Sequence, residues 1–177
     1  PKGSAVVYLD AGMAFGTGAH ETTRLCASRL QDYRNAHADQ LDTAEVIDAG
    51  CGSGVLALSA SALSFQKIYG FDSDPEAISV CHSNSAENAH LVKPEFVVAD
   101  LGKGFAAGRQ GDLVLANIQT DVLIPYCEPL VRGVKASGTL VLSGILTKEL
   151  DQVRTYFIKQ FAAQRPNVGI AVDSRED

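Results

Sequence analysis

The stretch that most constrains this chain is Asp48-Ala49-Gly50-Cys51-Gly52-Ser53-Gly54, three alternating glycines between an apolar run and an Ala- and Leu-rich segment. Alternating glycines let a backbone reverse within a few residues and let a ligand approach it with no Cβ in the way. The run before the turn, Glu45 to Asp48, reads as a strand, and Val55 to Leu63 after it as a helix small enough to lie close on a sheet. Lys67 to Phe71 reads as a second strand. Asp74-Pro75-Glu76 then opens a helix to about Asn88, with Asp74 as cap and Pro75 at the first helical position.

The alternation continues along the chain. Glu95 to Val98, Asp112 to Ala116 and Gly138 to Ser143 are the third to fifth strands. A helix near Val122 to Val134 is expected to be bent or interrupted, because Pro125 and Pro129 each remove an amide donor. Lys148 to Phe161 is the clearest amphipathic helix, with Leu150, Val153, Phe157 and Phe161 on one stripe. Upstream lie an extended start (Val6 to Leu9), a Gly-rich loop (Ala11 to Ala19), a helix from about His20 to Tyr33 and a polar linker from Asn35 to Thr43. Asn167 to Val172 is a candidate last strand. The expected fold is α/β: a doubly wound, mostly parallel sheet with helices on both faces. Ligands in such sheets bind beyond the strand carboxyl ends, where the glycine turn falls.

At 177 residues the whole chain, 1–177, is expected to be one domain, large enough for a core without disulfides or metals. A formal charge of −6 argues against a broad nucleic-acid surface and suits a basic protein partner better. No apolar run is long enough to span a bilayer and no leader pattern opens the chain, so the expectation is a cytoplasmic protein. Cys26, Cys51, Cys81 and Cys127 show no C-x-x-C spacing and read as buried thiols in a reducing compartment, with no metal site. The chain opens at Pro1, and the expectation is a fragment of something longer.

The glycine spacing narrows the ligand. A dinucleotide turn, G-x-G-x-x-G, would put its third glycine where Val55 stands. The pattern here is G-x-G-x-G with an acid, Asp48, two residues earlier, as in S-adenosylmethionine enzymes, where no pyrophosphate is cradled and an acid suits the aminoacyl end. Asp72, at the end of the second strand, can accept hydrogen bonds from both ribose hydroxyls. Asp100, after the third strand, reads either as an acceptor for the adenine amine or as a turn aspartate before Gly102.

On these residues the chain resembles the bacterial methyltransferases of the large-subunit ribosomal stalk protein called L-eleven. Leu9 to Cys26, LDAGMAFGTGAHETTRLC, is similar to the family signature upstream of the glycine turn. VIDAGCGSGVLA from Val46, GFDSDPEA from Gly70, Ala116-Asn117-Ile118 and LSGIL from Leu142 match further family segments in the same order. The resemblance implies a Rossmann-like fold whose last antiparallel strand is missing from this chain. It implies S-adenosylmethionine as cofactor, with contacts at Thr23, Gly50, Asp72 and Asn117 and a closing loop formed in part by Phe15, Gly16 and Thr17. Gly52 and Gly54 complete the cofactor turn. His20, at a helix start, reads as a capping or packing residue. The resemblance also implies a separate N-terminal substrate-recruiting domain that this chain lacks. Two departures stand out: Gln119 and Thr120 follow Asn-Ile where relatives carry small or apolar residues, and Ala11 replaces a loop proline.

Methyl transfer from a sulfonium is an in-line displacement, so the catalyst mainly aligns a neutral amine with the methyl group. Asn117, at the end of the fourth strand, is the residue expected to orient that amine. The leading expectation is methylation of protein amines, at lysine side chains or an N-terminus, with the ribosomal stalk protein as partner. The alternatives are another protein or small amine as acceptor, a cofactor-binding module without turnover, and, more remotely, a nucleotide-dependent reductase.

Overall fold

The computed structural model describes residues 6–9, 20–105 and 108–166. The candidate last strand at 167–172 lies outside them. Among the described residues, strands β1 (Glu45–Ala49), β2 (Lys67–Asp72), β3 (Glu95–Val98), β4 (Gly111–Asn117) and β5 (Val134–Ser143) form one five-stranded sheet in the order β3-β2-β1-β4-β5. Every pairing among them is parallel. Parallel neighbours need crossover connections. Helices α2 (Val55–Ala62) and α3 (Pro75–Glu87) carry the chain from β1 to β2 and from β2 to β3. The strand order reverses between β1 and β4, and a crevice at such a switch point is where open α/β sheets bind ligands.

Both faces of the sheet are covered, which is why its inner strands read as continuous apolar runs. On one face, Cys26, Leu30 and Tyr33 of α1 (Glu21–Ala36) join Leu56 and Ala60 of α2 and Ile78 of α3 against Val46, Leu113 and Leu115. On the other, Ile47, Phe71, Val114 and Ala116 meet Leu123 of α4 (Thr120–Leu123), Leu130 of α5 (Cys127–Arg132) and Val153 and Phe157 of α6 (Leu150–Gln164). Leu113, Val114 and Leu115 are all 0% exposed, each worth about 1.5–3 kcal/mol of burial.

Four elements differ from the sequence reading. The helix expected at Val122 to Val134 is two short helices, α4 and α5, with the break spanning Pro125. Pro129 breaks nothing, because it is the third residue of α5, where an amide has no intrahelical partner. Strand β5 starts at Val134, not Gly138: Gly111 pairs with Val134, then the register jumps so that Leu113 meets Thr139. The polar Lys135-Ala136-Ser137 stretch is a bulge inside the strand, although its composition resembles a turn. Helix α1 runs to Ala36, one turn beyond Tyr33, and His20 is its N-cap, accepting from the Thr22 amide. Helix α6 starts at Leu150 after a 3₁₀ turn, Thr147–Glu149.

Candidate active site at the switch point

The carboxyl ends of β1, β2 and β4 meet around the glycine turn. Gly50, Gly52 and Gly54 have φ of +70°, +52° and +77°, the left-handed region that other residues adopt only with strain. At Gly54 a Cβ would lie 3.0 Å from both Cys81 Sγ and Phe96 Cζ. The turn is stapled to β2, since the Gly50 and Cys51 amides both donate to Phe71 O at 2.9 and 3.0 Å. From its outer side it is held by α3, where Cys81 Sγ donates to Gly52 O at 3.1 Å and Asn84 Nδ2 to Ser53 O at 2.9 Å.

Most of the turn's amides are therefore spent inside the protein. Gly52 N donates to Asp72 Oδ2 at 3.0 Å, and Gly54 N to Cys51 O at 2.8 Å. A helix start ordinarily leaves its first amides without an intrahelical partner. Ala57 N, in the first turn of α2, is instead taken by Asp48 Oδ2 at 3.0 Å. Asp48 thus serves as the side-chain cap that Gly54, the N-cap of α2, cannot supply. A turn with its amides spent and acids beside it is a poor pyrophosphate cradle and suits a ligand carrying positive charge.

Asp48 is 1% exposed. Burial pushes its carboxyl up to about 7, the Ala57 amide pulls the other way, and the nearby Asp72 carboxylate adds to the rise. Asp72 is half-buried at the end of β2. Its Oδ1 accepts from Asp74 N at 3.0 Å, so both oxygens are oriented while each keeps a lone pair. Asp74 caps α3 as expected, accepting from Glu76 N at 2.8 Å. Asp72 pairs in register with Val98, which is 54% exposed and gives apolar surface beside the carboxylate. Asp100 accepts from Lys103 N at 2.9 Å and lies 3.4 Å from its ammonium, the turn role weighed from sequence.

At the end of β4, Asn117 Nδ2 donates to Thr23 Oγ1 at 3.2 Å across 94 residues of chain. Thr23 is 4% exposed on the first turn of α1. Two residues singled out from sequence are thus brought together. Ser143 Oγ donates to Thr22 O at 2.9 Å and Ser143 O accepts from Ile118 N at 3.0 Å, which fixes α1, β4 and β5 at one corner. Ile118 approaches the turn so closely that a Cβ on Gly50 would lie 2.8 Å from its Cδ1. Asn117 therefore sits beside the glycine turn. Phe15, Gly16 and Thr17 lie outside the described residues.

Sequence reasoning missed Asn84, Cys81 and Ser143. For Asn84 the signal was present: Asn84 and Asn88 extend at i, i+4 the buried face that carries Ala77, Ile78 and Cys81. Cys51 Sγ lies 3.6 Å from Cys81 Sγ, both buried and free. The Cys81 contact, burial and nearby carboxylates hold the Cys51 thiol protonated. Among the described residues no His, Cys, Asp and Glu group could hold a metal ion, and no helix is long and apolar enough to cross a membrane.

A parallel 3-2-1-4-5 sheet with a G-x-G-x-G turn at its switch point and an acid ending the next strand is the Rossmann-like fold of S-adenosylmethionine-dependent methyltransferases. Residues 1–168 match the family model described as ribosomal protein L11 methyltransferase (PrmA), and the chain belongs to that family. It is 37% identical over 159 residues to the ribosomal protein L11 methyltransferase of Trichlorobacter lovleyi, covering 88% of this chain and 50% of that one. Against the protein of the same name from Methylobacillus flagellatus it is 40% identical over 166 residues, covering 94% and 52%. The crystal structure of ribosomal protein L11 methylase from Lactobacillus delbrueckii subsp. bulgaricus superposes with a TM-score of 0.74 at 25% identity, covering 87% of this chain and 74% of that one. The chain spans about half the length of the curated relatives it matches.

Proposed function

We propose that this chain binds S-adenosylmethionine at the switch point and is the catalytic part of an enzyme that methylates amines of a protein, ribosomal protein L11. The observation that carries the reading is the Thr23–Asn117 hydrogen bond at the end of β4, next to the glycine turn. Bound there, the cofactor would supply a methyl group on a sulfonium sulfur that departs as a neutral thioether.

The chain's own residues would divide the work as follows. Asp72 holds the ribose hydroxyls through the lone pairs its backbone partners leave, and Val98 offers the adenine an apolar face. Gly50, Gly52 and Gly54 let the methionine end approach the backbone, with the Asp48 carboxyl beneath it. Phe15, Gly16 and Thr17 belong to the same proposal through the family signature. Asn117 spends an N–H on Thr23, which leaves its carbonyl oxygen to accept from the incoming amine and orient its lone pair. No strong base is needed, because the amine can lose its proton to water after transfer. Lysine or N-terminal amines as acceptors, a cytoplasmic location and substrate recruitment by residues outside this chain are part of the same proposal.

The test is methyl transfer from labelled S-adenosylmethionine to purified ribosomal protein L11, read by mass spectrometry of the acceptor. Methylated amines are expected. Cofactor binding with no transfer, by this chain or a longer form, would replace the proposal with a binding module whose acceptor pocket Gln119 and Thr120 obstruct. Tight NAD binding would overturn the cofactor assignment as well.

A further inference from the structure

Asn84 and Asn88 lie one turn apart on the buried face of α3 and are 0% and 1% exposed. A buried amide is costly unless its donors and acceptor are used. Asn88 Oδ1 accepts from Tyr8 N at 2.8 Å, and Asn88 Nδ2 donates to Tyr8 O at 2.6 Å and to Asn84 O at 2.7 Å. One side chain thus imitates a neighbouring strand for one residue of the entering chain. Only an amide can do this, since a carboxylate lacks both donors. Asn84 in turn donates to Ser53 O inside the glycine turn. Two hydrogen-bonded links joined through residue Asn84 therefore run from the backbone at Tyr8, via the Asn88 amide and the Asn84 carbonyl, to the Asn84 side-chain amide and the backbone at Ser53. Tyr8 is 60% exposed and its ring meets His90 edge-on at 6.4 Å, so it is the main chain that makes the link to Asn88.

We propose that Asn84 and Asn88 are positioning residues that couple the seating of the Val6–Leu9 segment to the shape of the glycine turn. The turn keeps its ligand-binding backbone while Tyr8 is clamped and loosens when it is released. The identity of the ligand rests on the methyltransferase reading. The coupling itself does not.

Three variants of the full chain separate the possibilities. Asn88→Asp removes two donors, Tyr8→Pro removes the backbone N–H with little disturbance to the core, and Tyr8→Ala leaves both backbone bonds intact. Hydrogen exchange reads the turn, and calorimetry reads S-adenosylhomocysteine affinity. Asn88→Asp and Tyr8→Pro are expected to speed exchange at residues 52–54 while β4 and β5 stay protected, and to raise Kd about tenfold. The double variant should be no worse than the weaker-binding single one. Tyr8→Ala should match the wild type. If Asn88→Asp does not fold, Tyr8→Pro alone decides. Wild-type exchange at the turn in Tyr8→Pro, or additive losses in the double variant, would overturn the coupling. A wild-type chain with no affinity for S-adenosylhomocysteine would instead sink the methyltransferase reading, and the exchange data would still judge the coupling.

Discussion

Replacing Asp48 with Asn should remove the pH dependence that this one buried acid imposes on stability. Asp48 is 1% exposed and its carboxyl stands at about 7, against 3.8 for an ordinary aspartate. Its folded-state value is raised, so the folded chain binds a proton that the unfolded chain has already released. The stability linked to that proton is fully present below about pH 4 and is lost as pH rises toward 7. Three units at about 1.36 kcal/mol each bring the total to about 4 kcal/mol. Between pH 5 and 8 the remaining loss is about 2.5 kcal/mol. Asn keeps an oxygen to accept from the Ala57 amide but brings an NH2 group that needs a partner, a cost of about 1–3 kcal/mol that does not vary with pH. The sign at any one pH is therefore less informative than the swing. Urea unfolding of both proteins at pH 5, 6, 7 and 8 should show Asp48→Asn gaining about 2.5 kcal/mol on the wild type across the series. Cys26, whose thiol burial and Asp48 push up to about 12, does not titrate in that window. A pH-independent difference, or a swing favouring the wild type, would refute the reasoning.

Asp72→Ala should weaken S-adenosylmethionine binding by about 1.5–3 kcal/mol, and unchanged affinity in calorimetry would remove the ribose assignment. Asn117→Ala should lose turnover by more than it loses cofactor affinity, with Thr23→Val showing a smaller loss of the same kind; equal losses in rate and binding would make Asn117 a cofactor ligand only. Gly144→Ala should lower stability by about 1–3 kcal/mol, because φ is +82° and the new Cβ would lie 2.7 Å from the Ile118 carbonyl oxygen, and thermal melts showing a loss below about 0.5 kcal/mol would contradict the stated strain.

The parts of this fold legible in the sequence are those whose cause is local. Val46-Ile47 and Leu113-Val114-Leu115 are buried on both sides of the sheet, so they stand out as apolar runs with no alternation. Asp74-Pro75 announces α3 because cap and first-turn preferences act within four residues. The bulge at the start of β5 escaped detection because Lys135-Ala136-Ser137 is polar for a tertiary reason, the register jump against β4. The break between α4 and α5 was foreseen, but Pro129 was given a disruptive role that its position in the first turn removes. In the site, the glycine turn and Asp72 were readable from spacing. The Thr23–Asn117 bond needed the family resemblance to bring both residues forward, since 94 positions separate them.

Asp48 and Asp72 stand at the ends of neighbouring strands and Asp100 follows the next one, and each accepts from backbone beyond a strand end: Ala57 N for Asp48, Gly52 N of the turn after β1 and Asp74 N for Asp72, and Lys103 N for Asp100. Structural and ligand-binding roles therefore do not compete at these positions, because a carboxylate has about four acceptor sites and the backbone takes one or two. What separates them is access and partners. Asp48 is sealed beneath α2, so it feels burial first and titrates near neutrality. Asp100 is half-buried and spends its outward charge on Lys103, where an ion pair is screened and weak. Asp72 is half-buried too, but it is oriented by two amides and bordered by the exposed Val98. It is the acid best prepared to meet a pair of hydroxyls. Because the Gly52 amide depends on the same carboxylate, a change at Asp72 alters the glycine turn along with the ribose contact.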